Sequence, residues 1–170
     1  MKDLKCNQKK HFISLSELII KLLALGKSLG TAESCTGGMI SALLTSEPGS
    51  SDWFKGGIVA YSNTVKERVL GVPPETLKQF GAVSEETARA MATGARKLLA
   101  VECALAVTGI AGPGGGTPEK EVGTVCFGWD IEGIVTSSTC KFTGSRHEVR
   151  VLSVNQAIRG LLGRLPPLPD

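Results

Sequence analysis

Apolar positions along the chain repeat with helical spacing in some stretches and run nearly continuously in others. Leu15, Leu18, Ile19, Leu22 and Leu23 recur every three or four residues and form one stripe of a helix over 15–25. Ser14 with Glu17 gives that helix a capping-box start, and Gly26 gives it a stop. A short extended piece at Thr31–Ser34 leads into Thr36-Gly37-Gly38, after which Met39, Ile40, Leu43 and Leu44 predict a helix ending before Pro48. Phe54–Tyr61 reads as a strand whose paired Gly56 and Gly57 suggest a bulge or a close backbone approach. Short helices are predicted over Ser62–Val69 and Pro73–Phe80. A longer one spans Ser84–Leu99, with Ser84 as cap, Glu85 and Glu86 at the positive end of the dipole, and Ala88, Met91, Ala92, Ala95 and Leu98 on its apolar face.

Cys103–Val107 is an unbroken small apolar run, as in a strand buried on both faces, and a glycine-rich loop follows over Thr108–Pro118. Val122–Asp130 and Ile134–Phe142 predict two strands joined as a hairpin across Ile131-Glu132-Gly133. A last helix opens at Ser145, pairs that cap with Glu148, and buries Val151, Val154, Ile158 and Leu161. Helices interleaved with strands, one pair necessarily antiparallel, predict an α/β single domain: a mixed-sheet sandwich with helices packed on the sheet. The expected organisation is a basic, flexible tail over 1–12, the domain over 13–165 and a frayed, proline-rich end over 166–170.

Composition narrows the class. With 42% hydrophobic and 21% charged residues the chain has the make-up of a folded globular domain, and 170 residues suit one domain. Aromatics at 5% give little material for stacking bases, which argues against a single-strand nucleic-acid platform. The net charge of +3 resides in residues 1–11, where Lys2, Lys5, Lys9 and Lys10 face Asp3 alone, so the folded part is neutral. No nucleic-acid partner is therefore expected, although binding through the basic arm would reveal itself by affinity that collapses with salt. The five cysteines (Cys6, Cys35, Cys103, Cys126, Cys140) are widely and irregularly spaced, without a CxxC. They predict neither a metal site nor a disulfide framework; Cys103, Cys126 and Cys140 read as small core residues. Glu17 and Lys21 interrupt the only apolar segment near the start, so neither a secretory signal nor a membrane span is expected, and a reducing, cytoplasmic setting is.

Glycine, at 21 of 170 residues, is in surplus and sits in clusters. Four segments join it to small polar residues at predicted strand ends, where open α/β sheets collect ligands. In TAESCTGG (31–38), Ser34 and Cys35 lie between strand and helix, with the amides of Thr36, Gly37 and Gly38 near a helix start. In Tyr61-Ser-Asn-Thr-Val-Lys66, Asn63 and Lys66 share a helix face, and a desolvated lysine can act as base for a serine. Thr108-Gly-Ile-Ala-Gly-Pro-Gly-Gly-Gly116 is neither a dinucleotide fingerprint nor a Walker loop, yet it suits close backbone approach to a ligand. Thr143-Gly-Ser-Arg146 places an arginine at a helix start, where it opposes the dipole and can reach an anion. Taken singly, each has a plainer reading: a tight turn, a solvated lysine, a flexible loop.

Together, TAESCTGG (31–38), GGIVAYSNTVKERVLGV (56–72), AVTGIAGPGGGTPEKEVGTV (106–125) and FTGSRHEVR (142–150) resemble, in order, the CinA C-terminal domain family over about residues 15–163. Stand-alone members of that family are similar to nicotinamide mononucleotide deamidases, which hydrolyse the pyridine carboxamide to the acid and ammonia without a cofactor. The resemblance implies Ser34 as nucleophile, Lys66 as its base and Tyr61 assisting. It implies that Thr36, Gly37, Gly38, Asn63, Thr108, Gly109, Gly112 and Arg146 line the nucleotide pocket. It also implies a homodimer or higher homo-oligomer. The alternative in the same family is a catalytically silent nucleotide-binding regulatory module, since larger members are associated with competence and DNA damage. Two departures stand out: Glu121 where a proline is usual, and Ser145 where an aspartate is common.

Overall fold

A computed structural model of the chain describes residues 15–168. The basic tail, Cys6 and the Ser14 cap lie outside the described residues. The elements in order are α1 (Leu15–Ala24), β1 (Leu29–Glu33), α2 (Met39–Thr45), a 3-10 turn (Ser50–Asp52), β2 (Phe54–Val59), α3 (Asn63–Leu70), α4 (Pro74–Phe80), α5 (Glu85–Leu98), β3 (Cys103–Gly109), β4 (Thr124–Ile131), β5 (Ile134–Lys141) and α6 (Arg146–Leu162). They build one five-stranded sheet of order β2-β1-β3-β4-β5, in which β1 runs parallel to β2 and β3, and β3, β4 and β5 are antiparallel. The mixed α/β fold is the one the patterning predicts.

The two faces of the sheet are packed differently because alternate strand residues differ in size. Leu29, Leu105, Val107, Phe127 and Trp129 face α1, α2 and α6, and meet Leu18, Leu22, Ile40, Leu44 and Ile158. Ala32, Ala104 and Ala106 face α3, α4 and α5, and meet Leu70, Met91, Ala92 and Ala95. Small residues bring α5 against the strands: a Cβ at Gly128 would stand 2.2 Å from the Ala88 carbonyl oxygen. On the opposite face Trp129 donates its indole N–H to the Ala157 carbonyl at 2.9 Å.

The element ends carry the corrections. Strand β1 begins two residues before Thr31, because Leu29 and Gly30 pair with Cys103 and Ala104. Strand β2 stops at Val59 rather than Tyr61, and the carbonyls of Ala60 and Tyr61 turn away to meet a lysine. The bulge expected near Gly56 is present, with a register shift between Leu29 and Gly30 opposite Phe54 and Gly56. Strand β3 extends through Gly109 because Thr108 and Gly109 pair with Cys126 and Val125. The Ser84 cap and the Ser145–Glu148 capping box form as predicted. Ser145, which replaces the usual aspartate, serves as the cap of α6; Glu121, which replaces the usual proline, pairs with Lys141. Cys140 is buried, as its apolar run predicts, and is disulfide-bonded, which the sequence reading did not include. Among the described residues no helix is long and apolar enough to cross a membrane.

The chain leaves β1 for β2 through α2 on one face, and returns from β2 to β3 through α3, α4 and α5 on the other. The carboxyl ends of the adjacent β1 and β3 are therefore the topological switch point, where such sheets leave a crevice.

Candidate active site

Ser34 is the first residue past β1. Its amide donates to the Val107 carbonyl at 2.9 Å, so the serine is tied to β3 as the chain turns. Lys66 lies one turn into α3, a helix capped by Ser62, whose hydroxyl accepts from the Val65 amide. From there the lysine side chain runs back under the end of β2. Its Nζ stands 3.0 Å from Ser34 Oγ, 2.9 Å from the Ala60 carbonyl oxygen and 3.1 Å from the Tyr61 carbonyl oxygen. Lys66 is 1% exposed and Ser34 8% exposed.

Burial pushes the Lys66 ammonium below its ordinary value of 10.5, because the charged form loses its water. The contacts also fit the neutral amine. Such an amine has two N–H groups and one lone pair; the carbonyls of Ala60 and Tyr61 take the two hydrogens, and the lone pair faces the Ser34 hydroxyl. Cys35, next to the serine, is held in the opposite state. Burial raises its thiol to about 12, so it stays protonated and is a poor nucleophile.

Over this pair opens a cavity of about 270 Å³, walled by Ser34, Cys35, Tyr61, Asn63, Lys66, Thr108 and the loop from Gly109 to Gly115, with Arg146 at its rim. Thr108 is buried and fixed by its hydroxyl, which donates to the Ala82 carbonyl at 2.7 Å. Arg146 opens α6 and spans the mouth, donating to the Gly112 carbonyl at 2.6 Å and to the Tyr61 hydroxyl at 3.1 Å. Tyr61 is 61% exposed.

Ser34, Tyr61, Lys66, Asn63, Thr108, Gly109, Gly112 and Arg146 thus converge on one pocket. Thr36, Gly37 and Gly38 do not reach its wall. The Gly38 amide is taken by the Glu33 carboxylate at 3.0 Å and the Gly37 amide by the Ser34 carbonyl at 3.1 Å, so the helix start offers no free cradle there. Tyr61 meets the site through two groups: its carbonyl holds Lys66, while its phenol turns to Arg146.

Three contributors were not anticipated. The Ala60 carbonyl carries no side-chain signal. Arg150 donates to the Thr36 carbonyl at 2.8 Å and ties α6 to the turn after Ser34. Glu33 is wholly buried at the end of β1; a carboxylate in a strand of otherwise small and apolar residues was the available signal, because such a charge must be partnered. Among the described residues no group of three or more His, Cys, Asp or Glu side chains could hold a metal ion.

Fold and site define an α/β/α-sandwich protein with a buried serine–lysine pair under a glycine-walled pocket at the ends of parallel strands. Comparison with known proteins gives the family: residues 13–165 match the model of the CinA C-terminal domain, and the chain belongs to that family. A CinA-like protein of Mycolicibacterium paratuberculosis is 49% identical over 156 residues, which cover 89% of this chain and 36% of that protein. A CinA-like protein of Leptospira interrogans is 57% identical over 120 residues, 70% of this chain and 29% of that protein. The chain spans about a third of the length of these relatives. Among solved structures, a competence or damage-inducible protein from Enterobacter asburiae superposes with a TM-score of 0.86 at 40% identity, covering 89% of this chain and 95% of that one. A competence/damage inducible protein from Agrobacterium tumefaciens gives 0.84 at 41% identity, covering 91% and 98%.

Proposed function

We propose that the chain is an amidohydrolase that converts the carboxamide of nicotinamide mononucleotide to the carboxylic acid and ammonia, with Ser34 as nucleophile and Lys66 as base. The observation that carries this reading is the 3.0 Å contact between Ser34 Oγ and a lysine whose other hydrogens are occupied by two carbonyls. Lys66 accepts the Ser34 proton as Oγ attacks the carboxamide carbon. The tetrahedral adduct collapses with cleavage of the C–N bond, and Lys66 returns the proton to the departing nitrogen, which leaves as ammonia. Water, deprotonated by the same amine, then cleaves the acyl-serine ester and regenerates Ser34. The Cys35 amide, in the turn after Ser34, is the donor nearest in sequence for the developing oxyanion. Arg146 and the loop walls suit the anionic remainder of the nucleotide.

The test is ammonia release from nicotinamide mononucleotide by purified protein and by Ser34→Ala, alongside calorimetric binding of the same ligand. Turnover by the wild type that falls at least about 10³-fold in Ser34→Ala supports the reading. Undiminished ammonia release by Ser34→Ala would overturn it. Binding without turnover by folded wild type would favour a nucleotide-sensing module.

A further inference from the structure

We propose that Glu33 is a positioning residue for Ser34: its buried carboxylate fixes the start of α2, and with it the turn that holds the serine hydroxyl against Lys66. The proposal rests on the Ser34–Lys66 reading given above.

Glu33 is the last residue of β1 and has no exposed surface. One carboxylate oxygen accepts from the amides of Gly38 at 3.0 Å and Ile40 at 3.1 Å. The other accepts from the amide of Ser41 at 2.9 Å and its hydroxyl at 2.7 Å. A carboxylate has about four lone-pair positions, so these four hydrogen bonds saturate it and leave none for a substrate. Its work is geometric. The Ser41 hydroxyl also lies 2.8 Å from Thr31 Oγ1, and Gly57 leaves room for this cluster, since a Cβ there would stand 2.1 Å from Ser41 Oγ.

The backbone of the same residue closes a ring around the reacting pair. The Glu33 carbonyl accepts from the Ala60 amide at 2.8 Å, and the Ala60 carbonyl accepts from Lys66 Nζ at 2.9 Å. Lys66 Nζ meets Ser34 Oγ, and Ser34 is bonded to Glu33. The turn between Ser34 and Gly38 is thereby held at both ends by one residue. If its side chain lets go, Gly38 and the start of α2 are free to shift, and the Ser34 hydroxyl moves relative to the amine.

Glu33→Gln keeps the shape but turns an NH₂ toward donors that it cannot accept from. Two measurements read the consequence: kcat and KM on nicotinamide mononucleotide, and the rate constant for covalent labelling of Ser34 by a fluorophosphonate probe. The labelling end point counts folded sites, so the rate constant per site is independent of any loss of folded protein. We expect both kcat and the labelling rate constant to fall about 100-fold, with KM within about threefold of wild type. Ser41→Ala, which removes one of the four donors, is expected to lower both about fivefold and serves if Glu33→Gln does not fold. Wild-type rate constants per site in Glu33→Gln, or in Ser41→Ala where that variant serves, would overturn the positioning role. A wild type that neither labels nor turns over would overturn the Ser34–Lys66 reading itself, and this proposal with it.

Discussion

The turn after β1 and the loop after β3 meet over the same pocket but are built in opposite ways. The first is buried from Ser34 to Thr36, and is fastened by Val107, by Glu33 and, through the Thr36 carbonyl, by Arg150. The second is exposed over 113–119 and fastened near its ends: the Ile110 amide donates to the Thr124 carbonyl, the Gly123 amide donates to the Ile110 carbonyl, Lys120 donates to the Phe80 carbonyl, and Arg146 holds Gly112. One segment is buried and tied on several sides, as a reacting hydroxyl needs; the other leaves its backbone exposed, as a ligand-contacting loop needs. Changes in the first segment should therefore appear in kcat, and changes in the second in KM or in stability.

The largest expected effect breaks the rigid side. Lys66→Met removes the proposed proton acceptor and should lower kcat by about 10²–10⁴-fold. It should also change the pH profile. Only the neutral amine accepts the Ser34 proton, so the wild-type rate rises with pH through the Lys66 value, which burial places below 10.5, and levels off above it. The residual activity of Lys66→Met should lack that limb. The same shift adds a stability term: between the lowered native value and 10.5 the unfolded chain binds more protons, so wild-type stability rises with pH in that window. That rise should be absent from urea titrations of Lys66→Met.

On the loop side, two glycines two residues apart sharpen the contrast. Gly112 has φ +84°, and a Cβ there would stand 2.6 Å from Val122 Cγ1. Gly112→Ala should cost about 1–2 kcal/mol in thermal unfolding. Because the Gly112 carbonyl holds Arg146, the variant should also raise KM about tenfold with little change in kcat. A Cβ at Gly114 meets nothing within 4 Å, so Gly114→Ala should leave stability within about 0.5 kcal/mol of wild type. Equal destabilisation by the two would show that the loop is strained throughout.

The sequence carried the elements well where periodicity or capping chemistry is local. The α5 and α6 caps, the β4–β5 hairpin and the mixed sheet follow from residues within a few positions of one another. Where interactions are long-range, legibility fails. That Lys66 meets Ser34, 32 residues away, depends on β1 and β2 lying side by side, and no spacing rule supplies that distance. Thr36, Gly37 and Gly38 looked like an anion cradle because glycines at a helix start usually are unpaired. Glu33, from within the same motif, occupies the Gly38 amide first. The pair Gly56-Gly57 read as a bulge or a close approach without saying to what; the partners at Gly57 are the Ser41 and Thr31 hydroxyls, which no local pattern names.

The smallest effect decides how Tyr61 is assigned. Its two polar groups point to different partners: the carbonyl accepts from Lys66 at 3.1 Å and the phenol accepts from Arg146 at 3.1 Å. Tyr61→Phe deletes the second and spares the first. If the phenol only orients Arg146, the variant loses one exposed hydrogen bond, which is worth about 1 kcal/mol at most; KM should rise by no more than about fivefold at roughly constant kcat. The acid limb set by Lys66 should stay in place, because the groups around Nζ are unchanged. A phenol that carries the serine proton gives the opposite pattern, a kcat loss of about 100-fold or more with KM steady and the limb displaced. The steady-state parameters of this one variant across pH therefore separate a tyrosine of the pocket rim from one in the proton path.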